Sequence, residues 1–240
     1  IRDFDKLNKS IEDFDPDIIF HLAAQPLVRK SYENTIDTYE TNVIGTANLL
    51  ESCRECDKKR VILNITTDKC YENIEKDYAY TESDQMGGHD PYSSSKGCSE
   101  LVTSAYRNSF FKKTKSIFLS SVRAGNVIGG GDWSDDRLIP DILESFNNNK
   151  PLLIRNPDAI RPWQHVLEPL SGYLVLAESL YNDGAKYAEG WNFGPEDGDV
   201  KPVSVIVEYL VGCWGAGVSW IHDKSDHPHE AQLLKLDISK

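Results

Sequence analysis

Two short segments carry residue types that could do chemistry. Thr67-Asp68-Lys69 follows the apolar run Leu63-Asn64-Ile65, and Tyr92 stands four residues before Lys96. On a helix that spacing is one turn, so phenol and ammonium share a face. An ammonium beside a phenol stabilises the phenolate and is expected to draw it below its usual value of about 10. Such a pair is a base for a hydroxyl proton. A threonine hydroxyl can hold the oxygen that loses the proton, and a carboxylate nearby can act as an acid. Together these residues predict an enzyme that moves hydride and protons. Lys69 would have to be neutral to act as a base. Taking it from about 10.4 towards 7 costs roughly 4–5 kcal/mol of differential interaction, which predicts burial beside another positive charge.

Each residue also has a plainer reading. Thr67 fits a strand end, Asp68 a capped turn, and Lys69 a solvated cation. With eleven tyrosines, about one Tyr-x-x-x-Lys arises by chance. What favours chemistry is context, because Asp90-Pro91 opens a helix at Tyr92 and the triplet ends a strand. Leu22-Ala23-Ala24-Gln25 also follows a strand, and its small residues would let a flat or phosphate-bearing ligand approach the backbone. Plain helix–sheet packing explains that segment equally well. Arg123, Asn126, Arg137, Arg155 and Arg161 fall in the loop-rich second half, where guanidinium groups suit phosphate. His227-Pro228-His229-Glu230 reads as a polar substrate loop rather than a metal site. Cys53 and Cys56 spell Cys-x-x-Cys late in an amphipathic helical pattern, with no second pair to complete a zinc site, so no metal is expected.

The elements that would hold these residues alternate. Helices are predicted over 3–13, 36–57, 92–111, 136–148, 168–182 and 203–213. Strands are predicted over 17–22, 60–65, 116–123, 152–154, 190–194 and 217–222. The first half has a βαβαβ rhythm, which implies a parallel sheet with right-handed crossovers. The second half adds a smaller lobe over the carboxyl ends of the strands, where open α/β sheets bind ligands. A chain of 240 residues allows one large domain, or a domain with a lobe. The net charge of −12 argues against a nucleic-acid partner. No apolar run reaches the ~18 residues needed to span a bilayer, and no membrane partner is expected. Five irregularly spaced cysteines make a poor disulfide framework and favour a reducing cytoplasm. The chain opens at Ile1 on a polar helical pattern, which reads as part of a longer protein.

At these residues the chain resembles the extended short-chain dehydrogenase/reductase family, in its NAD-dependent epimerase/dehydratase branch. The resemblance runs through His21 to Arg29, Thr41 to Thr46, Thr67 to Tyr71, Asp90 to Leu101, Arg123 to Trp133, Arg161 to Val166, Trp191 to Pro195 and His227 to Ala231. The Thr-Asp-Lys triplet, the Gly-Gly-Gly-Asp-Trp loop and the His-Pro-His-Glu-Ala loop are the more specific parts. The resemblance implies an α/β fold: a Rossmann-type doubly wound parallel sheet, incomplete because its first βαβ unit is missing, with a smaller substrate-binding lobe. Residues 1–128 and 168–198 would form the NAD-binding domain, and 129–167 and 199–240 the sugar-nucleotide lobe. The implied reaction is dehydration of a CDP-linked glucose by an internal hydride cycle.

In that cycle Thr67, Asp68, Lys69, Tyr92 and Lys96 would be catalytic. Leu22, Ala23, Ala24, Gln25 and Thr41 would line the NAD site with Tyr92 and Lys96. Asn126, Arg137, Arg161 and Asn192 would hold the nucleotide sugar, with His229 and Glu230 as further candidates. Helices near 38–56 and 92–111 would form the contact of a homodimer or higher homo-oligomer. The family's glycine-rich phosphate loop would lie upstream of Ile1, and Gly129-Gly130-Gly131 does not join a strand to a helix and cannot replace it. The chain alone is therefore expected to be inactive. The competing readings are a sugar-nucleotide 4-epimerase, which needs no acid like Asp68, and a non-catalytic binding protein of the same fold.

Overall fold

Four apolar runs pair into one parallel sheet. The computed structural model describes residues 1–114 and 116–240. Its central strands are β1 (Ile18–His21), β2 (Arg60–Ile65), β3 (Ile117–Ala124) and β4 (Gly190–Phe193), side by side in that order. Ile62 sits opposite Ile19 on one side and Leu119 on the other, and Val122 sits opposite Trp191. Apolar residues cover both faces, as a parallel sheet requires. One face packs Ile62 and Leu119 against Ile11, Leu49, Leu50 and Phe111. These come from helices α1 (Phe4–Phe14) and α4 (Gly45–Ser52), and from the end of the helical stretch begun by α5 (Pro91–Tyr106). The other face packs Val61, Leu63 and Val122 against Tyr173, Leu176 and Leu180 of the long helix Leu167–Tyr187. Each such side chain withdrawn from water contributes roughly 1.5–3 kcal/mol.

The helix predicted over 36–57 is broken and shorter. It consists of α3 (Thr35–Tyr39), a π-helical turn Glu40–Ile44, and α4. A preceding helix, α2 (Val28–Glu33), was not predicted. Beyond Ser52 the backbone tightens into i→i+3 bonds, Cys53 to Leu50 and Cys56 to Cys53. Both cysteines of the Cys-x-x-Cys therefore lie after the helix, not late within it. In α5 the expected start holds: Asp90 caps the Ser93 N–H with its side chain, and Pro91 takes the first position, where its missing N–H costs nothing. After Tyr106 a second π-helical turn, Arg107–Phe111, continues the helical stretch.

The second half forms a small layered lobe. Helices Leu138–Asn147 and Val203–Trp214 enclose Ile142, Phe146, Leu152, Ile154 and Val207 with the parallel strand pair Leu152–Ile154 and Trp220–His222. Short strand pairs join lobe and sheet, among them Val127–Ile128 with Gln164–His165 and Ile160–Pro162 with Val200–Pro202. Two- and three-residue strands leave no periodic signal, and none of these was predicted. Among the described residues, no helix is long and apolar enough to cross a membrane.

Candidate active site

β2 delivers the triplet. The strand ends at Ile65, and Asp68–Cys70 wind into one 3₁₀ turn capped by the Thr67 hydroxyl. Thr67 Oγ1 donates to Asp68 Oδ1 at 3.0 Å and accepts the Lys69 N–H at 3.4 Å. Asp68 is fully buried, and its Oδ2 has no hydrogen-bond partner. A Cβ at Gly125 would come 3.1 Å from that oxygen and 2.4 Å from the Pro162 ring, so only glycine leaves this space open. Lys69 Nζ lies 3.8 Å from Asp68 Oδ1 and is partly exposed. Among the described residues the charged neighbour of Lys69 is an acid.

Tyr92 is buried at the head of α5, and its backbone N–H donates to Ser31 Oγ at 3.0 Å. Lys96 is buried one turn on, but its Nζ donates to the Ile65 carbonyl at 3.1 Å. The sequence reading placed this ammonium beside the phenol and expected a lowered phenol. The structure reverses the direction. Burial pushes Tyr92 up to about 12, with Thr67 hydrogen-bonding against that shift and Asp68 adding to it. Burial also pulls Lys96 down to about 8, partly offset by Glu100. Below pH 8 the folded protein thus holds a charged, buried lysine that the unfolded chain would solvate.

Stability is therefore expected to rise with pH between about 8 and the unfolded lysine value of 10.5, where the unfolded chain binds the extra proton. Lys96→Met should raise stability at pH 7 by about 1–3 kcal/mol, after the lost Ile65 hydrogen bond is allowed for. That advantage should disappear by about pH 10.5. Chemical denaturation of the two proteins across this range is the check; a pH-independent difference would refute the cost assigned to Lys96.

A polar network runs beneath these groups. The π-helical turn brings Asn42 against the segment after β1: its Oδ1 accepts the Gln25 N–H at 2.8 Å, and its Nδ2 donates to the Gln25 carbonyl at 3.0 Å and to Ser95 Oγ at 2.8 Å. His21 at the end of β1 meets Thr46 Oγ1 at 3.0 Å, and Thr46 meets Ser99 at 3.0 Å. Burial, helped by Lys96, holds His21 near 4, so it is neutral. Asn64 closes the network on Ser99 and Thr103. Further along α5, Glu100 and Arg123 form a buried two-point pair, both bonds 2.9 Å.

The predicted residues separate in space. A cavity of about 300 Å³ is lined by Thr67, Lys69, Tyr92, Asn126, Arg137, Arg161 and Glu230; Asp68 is not among its lining residues, but Thr67, Lys69 and Gly125 on either side of it are. Asn126 Oδ1 is buried without a partner. Arg137 stands at the N-cap of the helix Leu138–Asn147. Arg161 spends much of its guanidinium on the carbonyls of Ile160, Gln232 and Ala231, and so pins the 227–232 segment.

Two substrate candidates lie elsewhere. The Asn192 amide is consumed, accepting the Tyr71 hydroxyl at 2.6 Å and donating to the carbonyls of Tyr80 (2.8 Å) and Asp237 (3.1 Å). A polar residue at the end of β4 reads the same in sequence whether it faces a ligand or a network. His229 does not line the cavity; its carbonyl accepts the Tyr32 hydroxyl and its ring faces His89. Leu22, Ala23, Ala24 and Thr41 also fall outside the cavity, with Leu22 56% exposed. The Gln25 side chain turns inward, to the Leu27 carbonyl and Thr38. Residues not predicted for the site are Arg29, Trp133 and Asp136, which all line the cavity. Trp133 was visible as an aromatic in a glycine-rich loop.

Known proteins share this arrangement of sheet and lobe. A family model described as GDP-mannose 4,6 dehydratase matches residues 1–191. The chain belongs to that family. It is 60% identical to the CDP-glucose 4,6-dehydratase of Salmonella typhimurium, with all of this chain aligned over 68% of that protein. It is 27% identical to the dTDP-glucose 4,6-dehydratase of Haemophilus influenzae, over 100% of this chain and 73% of the relative. In fold it is similar to the dTDP-glucose 4,6-dehydratase DesIV of Streptomyces venezuelae, solved with NAD bound: TM-score 0.79, 24% identity, 98% of this chain and 68% of that one. It is also similar to the UDP-glucose 4-epimerase of Thermus thermophilus in complex with NAD: TM-score 0.82, 20% identity, 98% and 74% covered.

Proposed function

We propose that this chain carries the catalytic groups of a CDP-glucose 4,6-dehydratase, which converts CDP-glucose to CDP-4-dehydro-6-deoxy-glucose and water. The observation that carries the proposal is Asp68. A fully buried carboxyl with one oxygen unpartnered, bonded to Thr67 and adjacent to a cavity that Tyr92 lines, is an acid held for a substrate. A 4-epimerase has no use for such an acid. The 60% identity to the Salmonella enzyme supports the same reading.

The implied cofactor is NAD. Residues at the carboxyl ends of β1 and β2 fit its nicotinamide–ribose half. Lys96 uses one of three donors, on the Ile65 carbonyl, which leaves two for a diol. Leu22 and Ala23 present an exposed apolar segment, and Asn42 fixes the backbone of Gln25 beside it. When bound, NAD would supply the hydride acceptor for the sugar C4 and the hydride donor for C6.

This chain's residues manage the protons. Tyr92 takes the C4 hydroxyl proton, with Thr67 holding the same oxygen. The resulting C4 ketone acidifies the C5 hydrogen. Asp68 then delivers a proton to the departing C6 hydroxyl, and Lys69, 3.8 Å from it, takes one from C5 in the form of the pair whose proton sits on Asp68 and leaves the amine neutral. After water has left, the Asp68–Lys69 pair holds as many protons as before. Lys69 returns its proton to C5 when C6 is reduced, and the proton that Tyr92 took from the C4 hydroxyl replaces the one Asp68 gave up, so all three groups end as they began. Arg137, Arg161, Asn126 and Glu230 hold the nucleotide diphosphate and sugar.

Asp68→Asn removes the acid but leaves the base. Formation of the 4-keto-6-deoxy product should fall by about 10²–10⁴-fold while oxidation at C4 survives. Mass spectrometry of CDP-glucose incubated with NAD and the full-length protein carrying this change should then show loss of two hydrogens without loss of water. A wild-type rate in the variant, or only a 4-epimer from the parent, would refute the reading.

We also propose that residues 1–128 and 168–198 form the cofactor domain and the remainder the substrate lobe. The exposed Ile36, Ile44 and Leu101 on the helices around α3 to α5 support a homodimer contact there. The five cysteines, all free, support a cytoplasmic location.

A further inference from the structure

The Cys-x-x-Cys lies far from the cavity, and the proton chemistry leaves it unused. The Cys56 N–H donates to the Cys53 carbonyl at 3.2 Å, which closes residues 53–56 into a turn just past α4. Such a turn brings its first and last Cα within about 7 Å, and a disulfide spans roughly 4.4–6.8 Å between Cα atoms. The backbone therefore already stands where a bond between the two sulfurs needs it. Both side chains reach the same core. Cys53 is fully buried among Ile11, Leu49, Leu50 and Ile62, and Cys56 packs against that cluster. The two differ in access. Cys56 is half-buried and lines a cleft between α1 and the end of α4, together with Asp15, Arg54 and Arg60, whereas Cys53 is not on the cleft wall. Burial pushes the Cys53 thiol up to about 11, against the pull of the Arg60 guanidinium beside it, and Cys56 is close enough to add to the rise.

We infer that Cys53 and Cys56 form a thiol–disulfide site, at which Cys56 meets a small-molecule disulfide in the cleft and Cys53 resolves the product into an internal bond. The Cys56 thiolate attacks one sulfur of the incoming disulfide, RSSR. That S–S bond breaks, and the leaving RS⁻ takes up the proton that Cys56 gave. Cys53 then attacks the Cys56 sulfur, the mixed bond breaks, and the second RS⁻ leaves with the Cys53 proton. Together the two cysteines lose two protons and two electrons, and the small disulfide gains both. In a reducing compartment the pair rests as two thiols, as the structure shows it. The bond locks the turn that ends α4, the helix whose Leu49 and Leu50 enter the core. Cys70 is fully buried, and Cys213 is exposed on the helix Val203–Trp214, so neither shares this pairing of an open sulfur with a buried one.

The test is treatment of the folded full-length protein with glutathione disulfide, then acid quenching, alkylation of the remaining thiols in denaturant, and tryptic mapping. Trypsin cuts after Arg54, between the two cysteines, so an internal bond joins the peptide Ser31 to Arg54 with the peptide Glu55 to Lys58. With reduced glutathione at about 0.1 mM, the joined peptides should exceed Cys56 carrying glutathione by about tenfold or more, because a tethered thiol acts at an effective concentration of millimolar or above. Cys53→Ala should strand glutathione on Cys56. Cys56→Ser should leave Cys53 unmodified, because burial shields it. Circular dichroism checks that each variant is folded, and the parent digest decides the linkage by itself where Cys53→Ala does not fold. Joined peptides that form only in urea, a mixed disulfide at Cys56 that outweighs them in the parent, or glutathione on Cys53 of the folded Cys56→Ser protein would overturn the assignment.

Discussion

Replacing Glu100 by Ala is expected to destabilise the fold by about 3–5 kcal/mol, the usual cost of stranding one member of a buried ion pair. Glu100 accepts from Arg123 twice, at 2.9 Å each, from Thr66 Oγ1 at 2.5 Å and from Ser121 Oγ at 2.7 Å. Its removal leaves a buried guanidinium with only Tyr71 and the Glu82 carbonyl. It also opens a space between α5 and β3. For a protein of this size the thermal midpoint should fall by about 10 °C. The double change Glu100→Leu with Arg123→Met removes both charges and should be less destabilising than Glu100→Ala alone, although Tyr71 then loses a partner. Urea denaturation followed by circular dichroism distinguishes these outcomes; additive losses would show that the pair is not coupled. The pH dependence has a definite sign. Burial pushes the Glu100 carboxyl up, but Arg123, Thr66 and Ser121 together hold it below 4.5. Its stabilising effect is therefore whole above pH 4.5 and is lost as the pH falls through the lower folded value.

That pair also shows what the sequence could not reveal. The sheet was legible, since 60–65 was predicted to the residue and the other three central strands to within one residue at each end. Buried parallel strands are rich in apolar residues on both faces, which short runs such as Val61-Ile62-Leu63 display in the sequence. α5 is different because it turns polar faces inward. Tyr92, Lys96 and Glu100 are spaced by four, and so are Ser95, Ser99 and Thr103; all six are buried. A search for apolar periodicity passes over such a helix, although its hydroxyls recur at a strict spacing of four. The two π-helical turns were equally hidden, because one extra residue shifts the register without changing composition. Of the site, the residues joined by short sequence distance were found as a group. Asn192 was misplaced because its role depends on Tyr71 and Tyr80, more than a hundred residues away. Arg29, Asp136 and Glu230 come together only when α2 and two distant loops meet around Arg155.

Tyr92→Phe should abolish most turnover, by about 10³-fold or more, while CDP binds within a few-fold of the parent. The reason lies in the phenol's surroundings. Held up to about 12 by burial, Tyr92 in the free protein is almost entirely neutral at pH 7. Its hydroxyl is therefore a poor base until a positive charge or a hydrogen-bond donor joins it, and Thr67, which donates to Asp68 Oδ1 in the free protein, becomes that donor by turning its hydroxyl away from the acid. Lys96 cannot fill that role from the Ile65 carbonyl. In the substrate-loaded enzyme, turnover should rise with pH along a limb that belongs to this phenol, at a value below 12. The Tyr92→Phe enzyme would have no such limb, and its residual rate should be flat over the same range. Thr67→Ala should keep the limb and move it upward, because the neutral phenol loses nothing while the phenolate loses its donor. The phenylalanine ring preserves the packing under α5, and the backbone N–H at position 92 keeps its bond to Ser31 either way. A loss of activity in this variant is thus chemical rather than structural. If Tyr92→Phe retained more than about a tenth of the activity, or kept the limb, the base would have to be sought elsewhere in the cavity, with Lys69 the next group on its wall.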